Sequence, residues 1–276
     1  MEIRLIATDM DGTFLDDEKN IPVENMRALA ECAARGIEIV PATGRTLGGV
    51  PEEIKTLPGV RYAIVTNGAV IMDLKENREI DACRMTPGLA LQVMELARKS
   101  PDEIMYDVYI EGIGYTTEEF YRNIGHFVPA AGLAAHVKRT RRVVPDHIAY
   151  IRERNVPADK INLFFTEPEA RERMRRALKE IPGILVSSAI PTNLEINAAG
   201  ADKGSALLRL AAYLGLDREA TMGFGDGEND LSMLTMAGIG VAMKNGEESV
   251  KAAADYVTLT NNEAGVAAAI RRFALK

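Results

Sequence analysis

Two carboxylates, Asp9 and Asp11, follow an apolar run at Ile3–Thr8 and are closed off by Gly12 and Thr13. Burying two such charges at the end of a strand is costly unless a cation or ligand compensates them. A hard divalent ion does so, and Mg2+ suits one or two carboxylates plus a phosphate. The plainer account is an Asx turn ending the strand. A second segment, Ala42-Thr43-Gly44-Arg45, offers a hydroxyl and the backbone N–H groups near Gly44, which can grip phosphate oxygens. Lys203 is a compact positive charge able to neutralise a phosphoryl group. A fourth segment, Gly223–Asp230, brings Asp226 and Asp230 to a glycine-rich turn, where glycine permits positive φ and close backbone approach. Neither a dinucleotide fingerprint nor a phosphate-binding P-loop signature occurs.

These groups act together only if the chain brings them to one edge. Ile3–Thr8, Ile37–Pro41, Tyr62–Thr66, Thr221–Phe224, Ile239–Met243 and Tyr256–Leu259 read as strands. Helical patterns stand between them at Val23–Arg35, Lys203–Leu214, Asp230–Ala237, Glu247–Ala254 and Glu263–Phe273. That alternation implies right-handed crossovers and a mainly parallel sheet. Ligands bind at the carboxyl edge of such a sheet. Asp9, Thr43 and Asp226 all fall at or just beyond strand ends there, and Lys203 opens a helix. The stretch from about Ala82 to Ile190 is different, denser in aromatic and basic residues. Its helices at Gly88–Lys99 and Pro168–Lys179 and its strands near Tyr106, Gly114, Ile161 and Ile184 read as an α+β insert.

The chain has 276 residues, 33 basic against 40 acidic, for a net charge of -7. That balance argues against nucleic acid as a partner. No apolar run reaches the roughly 18 residues of a membrane-spanning helix, so no membrane partner is expected. The start of the chain reads as a strand and not as a secretory leader. Two cysteines, Cys32 and Cys83, do not make a disulfide framework, and a cytoplasmic setting is expected. His126, His136 and His147 are too widely spaced for a local metal motif and read as surface or packing residues. Arg171, Arg173, Arg175 and Arg176 read as a solvated helix face. Lys138-Arg139-Thr140-Arg141-Arg142 fits a solvated face or an anion-reading one equally well.

In order, Asp9-x-Asp11-Gly12-Thr13, Thr43-Gly44-Arg45, Lys203-Gly204 and Gly225-Asp226-Gly227-x-Asn229-Asp230 resemble the motifs of the haloacid dehalogenase superfamily of phosphohydrolases. Thr66-Asn67-Gly68-Ala69, Leu194-Glu195-Ile196 and the position of the insert resemble its Cof-like branch (subfamily IIB). Asp202 and Phe14 depart from common residues of the pattern and touch none of the roles below. The resemblance implies an α/β fold: a Rossmann-like three-layer core over residues 1–81 and 191–276, and an inserted α/β cap over 82–190 that sets substrate specificity. It implies Asp9 as nucleophile and metal ligand. Asp11 would be the general acid/base, with its backbone carbonyl on the metal. Thr43, Gly44, Arg45, Lys203 and Asn229 would bind phosphate or substrate, and Asp226 and Asp230 would complete a Mg2+ site. The expected activity is Mg2+-dependent hydrolysis of a small phosphorylated metabolite through an aspartyl phosphate, by a monomer or small homo-oligomer. A phosphosugar mutase using the same intermediate and a non-catalytic phosphometabolite sensor are the alternatives.

Overall fold

A computed structural model describes residues 2–275. The first part of the chain forms β1 (Leu5–Thr8), α1 (Val23–Ala34), β2 (Glu38–Pro41), α2 (Glu52–Lys55), β3 (Tyr62–Val65), β4 (Val70–Asp73) and β5 (Arg78–Ala82). Then come α3 (Pro87–Arg98), β6 (Ile104–Ile110), β7 (Ile113–Thr116), α4 (Glu118–Phe127), α5 (Ala131–Thr140), β8 (Arg141–Val143) and α6 (His147–Arg154). They are followed by β9 (Lys160–Phe165), α7 (Pro168–Lys179), β10 (Ile184–Ser187) and β11 (Asn193–Ala198). The last part forms α8 (Lys203–Tyr213), β12 (Thr221–Gly225), α9 (Leu231–Met236), β13 (Ile239–Ala242), α10 (Glu248–Ala253), β14 (Tyr256–Val257) and α11 (Gly265–Phe273).

Two compact units result, one from residues 1–82 with 201–276 and one from residues 83–200. In the first, a parallel sheet runs β14-β13-β12-β1-β2. β1 is buried along its whole length, as a central parallel strand covered on both faces must be. That explains its uninterrupted Leu5-Ile6-Ala7. Helix α8 packs Ala206, Leu207 and Leu210 into the same core as Leu5, Ala7, Val40 and Ile64. Its N-terminus is fixed by Asp202, whose carboxylate accepts from the Ser205 backbone N–H at 2.8 Å and the Ser205 hydroxyl at 2.7 Å. Such a cap satisfies donors that the first helical turn leaves open. A separate antiparallel sheet, β3-β4-β5, completes this unit.

The second unit carries a six-stranded sheet, β10-β11-β9-β6-β7-β8, antiparallel except where β7 meets β8. Its second boundary lies near residue 200, where the sequence reading put it at 190. The reason is β11, which pairs with β9 and β10 and therefore belongs to this sheet. Its sequence alternates Asn193, Glu195 and Asn197 with Leu194 and Ile196, so Leu194-Glu195-Ile196 is a strand of the insert. Among the described residues, no helix is long and apolar enough to cross a membrane.

Candidate active site

Asp9 leaves the end of β1, with its N–H donating to Phe224 O on β12 at 3.0 Å. The parallel pairing of β1 with β12 brings the Asp9 and Asp226 turns side by side. Gly12 makes their closeness possible. Its φ is +81°, and a Cβ there would stand 2.4 Å from Asp226 Oδ2. Thr13 donates its hydroxyl to Asp226 Oδ1 at 2.8 Å. Oxygens of Asp9, Asp226 and Asp230 all lie within 4.8 Å of one another.

Lys203, fully buried at the start of α8, donates to Asp9 Oδ1 and to Asp230 Oδ1, each at 2.6 Å. The other oxygen of Asp230 accepts the N–H groups of Asp226 at 3.0 Å and Gly227 at 3.1 Å. Asp230 thus accepts three hydrogen bonds, one on Oδ1 and two on Oδ2. Burial, with the neighbouring carboxylates adding to it, pushes Asp9 well above the ordinary aspartate range, against the opposing pull of Lys203. Burial and Asp230 push Asp226 up to about 6, despite the Thr13 hydrogen bond. Fully ionised, these three carboxylates against one ammonium would leave an excess of two negative charges. That donor set and that excess fit a divalent cation with oxygen ligands.

Asp11 stands apart from this cluster. Arg45 grips it through Nε at 2.9 Å and Nη2 at 2.7 Å, and Lys19 approaches its Oδ1 at 2.9 Å. Burial would raise its pKa, but the Arg45 charge and the Lys19 contact outweigh that and hold the carboxyl below its usual value. Thr43 is buried, and its hydroxyl accepts the Arg45 N–H at 3.2 Å. Arg45 also donates to Gly49 O at 3.1 Å. Asn229 donates to Asn67 Oδ1 at 3.3 Å.

Every core residue singled out from sequence thus lies on a turn leaving the parallel sheet or at the start of α8. Sequence reasoning assigned no role to three residues. Lys19 balances Asp11, Asn67 partners Asn229, and Asn245 donates to Gly12 O at 2.8 Å. Asn245 follows β13 in the loop that opens toward α10. Its place after a predicted strand end, like those of Asp9 and Asp226, was the available signal. Lys19 had none, since a lysine in a polar loop reads as solvated.

In the insert, two arginines of α7 are engaged locally: Arg173 with Asp102 at 2.6 Å, and Arg171 with Ser188 at 2.9 Å and Asn193 O at 3.0 Å. Arg141 is not a surface charge, because it is buried between Asp107 and Tyr109. Gly114 leaves room for it, since a Cβ there would lie 2.5 Å from the Arg141 side chain. His147 is buried and stacked on Tyr106, while His126 is exposed and His136 half-buried.

Comparison with known proteins gives a consistent result. The family model described as haloacid dehalogenase-like hydrolase matches residues 6–270. A 5-amino-6-(5-phospho-D-ribitylamino)uracil phosphatase of Bacillus subtilis is 31% identical, over 100% of this chain and 97% of its own length. Phosphatase YwpJ of the same organism is 34% identical, over 96% and 98%. A solved haloacid dehalogenase-like hydrolase from B. subtilis superposes with a TM-score of 0.84 at 31% identity, covering 98% of this chain and 99% of that one.

Proposed function

The chain belongs to the haloacid dehalogenase-like hydrolases, and on that premise we propose that it is a Mg2+-dependent phosphatase of small phosphorylated metabolites, working through an aspartyl phosphate on Asp9. One observation carries the reading: the buried carboxylates of Asp9 and Asp230 share a single buried ammonium, and the half-buried carboxylate of Asp226 stands beside them. Residues of that kind are strained until a cation and a phosphate arrive. The Asp9 and Asp226 carboxylates with the Asp11 carbonyl would hold Mg2+, and Asp230 would buttress it. When bound, the ion supplies charge neutralisation that lets an anionic carboxylate approach an anionic phosphate.

In the first step an Asp9 oxygen forms a bond to phosphorus as the bond to the leaving oxygen breaks. Asp11 gives that oxygen a proton, and in the second step it takes one from the water that cleaves the Asp9 acyl phosphate. Asp11 as found is paired for the second of these tasks, because Arg45 and Lys19 favour its ionised form. Its acid role requires that grip to loosen. Lys203, the Thr43 hydroxyl, the Gly44 N–H, Arg45 and Asn229 would hold the phosphoryl oxygens and stabilise their developing charge. The insert would read the leaving group. The relatives named for a phosphoribityl uracil and for pyridoxal phosphate act on small phosphorylated compounds, which supports that class of substrate.

The test is phosphate release from a generic aryl phosphate with and without Mg2+, followed by a panel of phosphorylated metabolites. Asp9→Asn is expected to abolish release while the protein still folds. Turnover that survives in that variant, or that ignores chelation of the metal, would refute the mechanism.

A further inference from the structure

Residues 66–68 lie just past β3 and bear none of the groups that react. All three have positive φ: Thr66 +55°, Asn67 +59° and Gly68 +96°. Left-handed backbone is routine for glycine and tolerable for asparagine, but in a β-branched threonine it is a strained outlier. Thr66 and Asn67 are also buried, so no surface loop relaxes them. A strained, buried turn persists only where its surroundings over-determine it.

The surroundings are the loops of the site. Thr66 N–H donates to Arg45 O at 2.8 Å and Asn67 N–H donates to Thr43 O at 3.0 Å. Two carbonyls of the Thr43–Arg45 loop are thereby engaged on one short turn. The Asn67 carboxamide accepts from Asn229 at 3.3 Å. Gly68 lies against the backbone carbonyl of Asp202, so close that a Cβ would stand 2.2 Å from it, and Asp202 immediately precedes Lys203. Gly68 O accepts from Arg209, further along the same helix, at 2.9 Å.

We infer that Asn67 is a positioning residue: the strained turn Thr66–Gly68 ties the Thr43, Lys203 and Asn229 loops into one register, and the Asn67 carboxamide sets Asn229 against bound phosphate. This rests on the phosphatase reading for the role of Asn229. Asn67 touches no substrate in this account; it acts through Asn229 and Thr43.

The experiment is a double-mutant cycle read by binding of inorganic phosphate in the presence of Mg2+, by calorimetry on the full chain. Asn67→Gly keeps the left-handed backbone and deletes only the carboxamide. It is expected to keep a cooperative melt and to weaken phosphate binding about tenfold, the effect of one lost hydrogen bond to a phosphate-holding group. Combined with Asn229→Ala, it should bind no more weakly than Asn229→Ala alone, because the two residues act in series. In turnover, kcat/KM should fall by the same factor for aryl and alkyl phosphates, since the leaving group is untouched. Wild-type phosphate binding by Asn67→Gly, or losses that add in full, would overturn the inference. Asn67→Ser replaces the glycine variant if that one fails to fold. Failure of both to fold would make Asn67 a determinant of the fold and not of positioning. A wild-type protein that neither binds nor releases phosphate would instead refute the phosphatase reading.

Discussion

Gly12→Ala places one methyl group where the structure has no room for it. The added carbon would lie 2.4 Å from Asp226 Oδ2 and 2.9 Å from Asp226 Cγ. Ordinary contact begins near 3.4 Å, so the carboxylate must retreat by about 1 Å. The backbone cannot yield instead without leaving φ +81°, where alanine already costs about 1–2 kcal/mol. Retreat of Asp226 breaks its hydrogen bond from Thr13, worth about 1.5–3 kcal/mol for a charged acceptor. Together the fold should lose about 2.5–5 kcal/mol. Misplacement of a metal carboxylate by ~1 Å should cost on the order of 100-fold in rate. Mg2+ titration of phosphate release, alongside a thermal melt, separates the two effects. The sharp expectation is a weaker Mg2+ requirement curve in whatever fraction stays folded. A variant with wild-type kcat and an unchanged Mg2+ midpoint would show that the Gly12 approach does not set the geometry of Asp226.

Arg45→Met removes the larger of the two cations that keep Asp11 ionised, so the Asp11 pKa should rise. The acidic limb of the kcat profile, which includes the second step, should then move to higher pH, and an unmoved limb would detach Asp11 from the base role. His147 is buried and its pKa is lowered by burial. Below its ordinary value near 6.5 the unfolded chain takes up a proton that the folded one resists. Stability of the insert should therefore fall as pH drops through and below that value, and His147→Gln should flatten the dependence in a melt series. Gly125 sits exposed within α4 with open space around its Cβ position. Gly125→Ala should stabilise by about 0.5–1 kcal/mol, measured by denaturant titration.

The core was legible because its strands are buried on both faces and its reactive residues sit next to strand ends. An uninterrupted apolar run followed by Asp-x-Asp states both facts at once. Helix α7 matches its expected span, Pro168–Lys179, since a proline opens it and its apolar residues recur at helical spacing. The insert was read less well. Helices α4, α5 and α6 were not anticipated, and α6 in particular is short and rich in polar residues. The expected boundary at 190 leaves β11 with the core, whereas its pairing with β9 and β10, which no local pattern announces, puts it in the sheet of the insert. In the site, spacing could mark Asp11 but not its state. Lys19 and Arg45 determine that state, and their contacts with Asp11 exist only in three dimensions.

Thr13 bonds a residue 213 positions later, and Lys203 reaches back 194 positions to Asp9. During synthesis the chain emerges from its amino end, and β1 lacks its neighbour β12 until Thr221–Gly225 has been made. The insert, by contrast, is complete in sequence before that point. Pairings so distant along the chain are slow to close, and a central apolar strand awaiting its partner is exposed to misassociation. The nascent protein therefore holds β1 without its β12 neighbour until Gly225 has been made, and the Asp9–Lys203–Asp230 cluster cannot assemble before Asp230 has followed it.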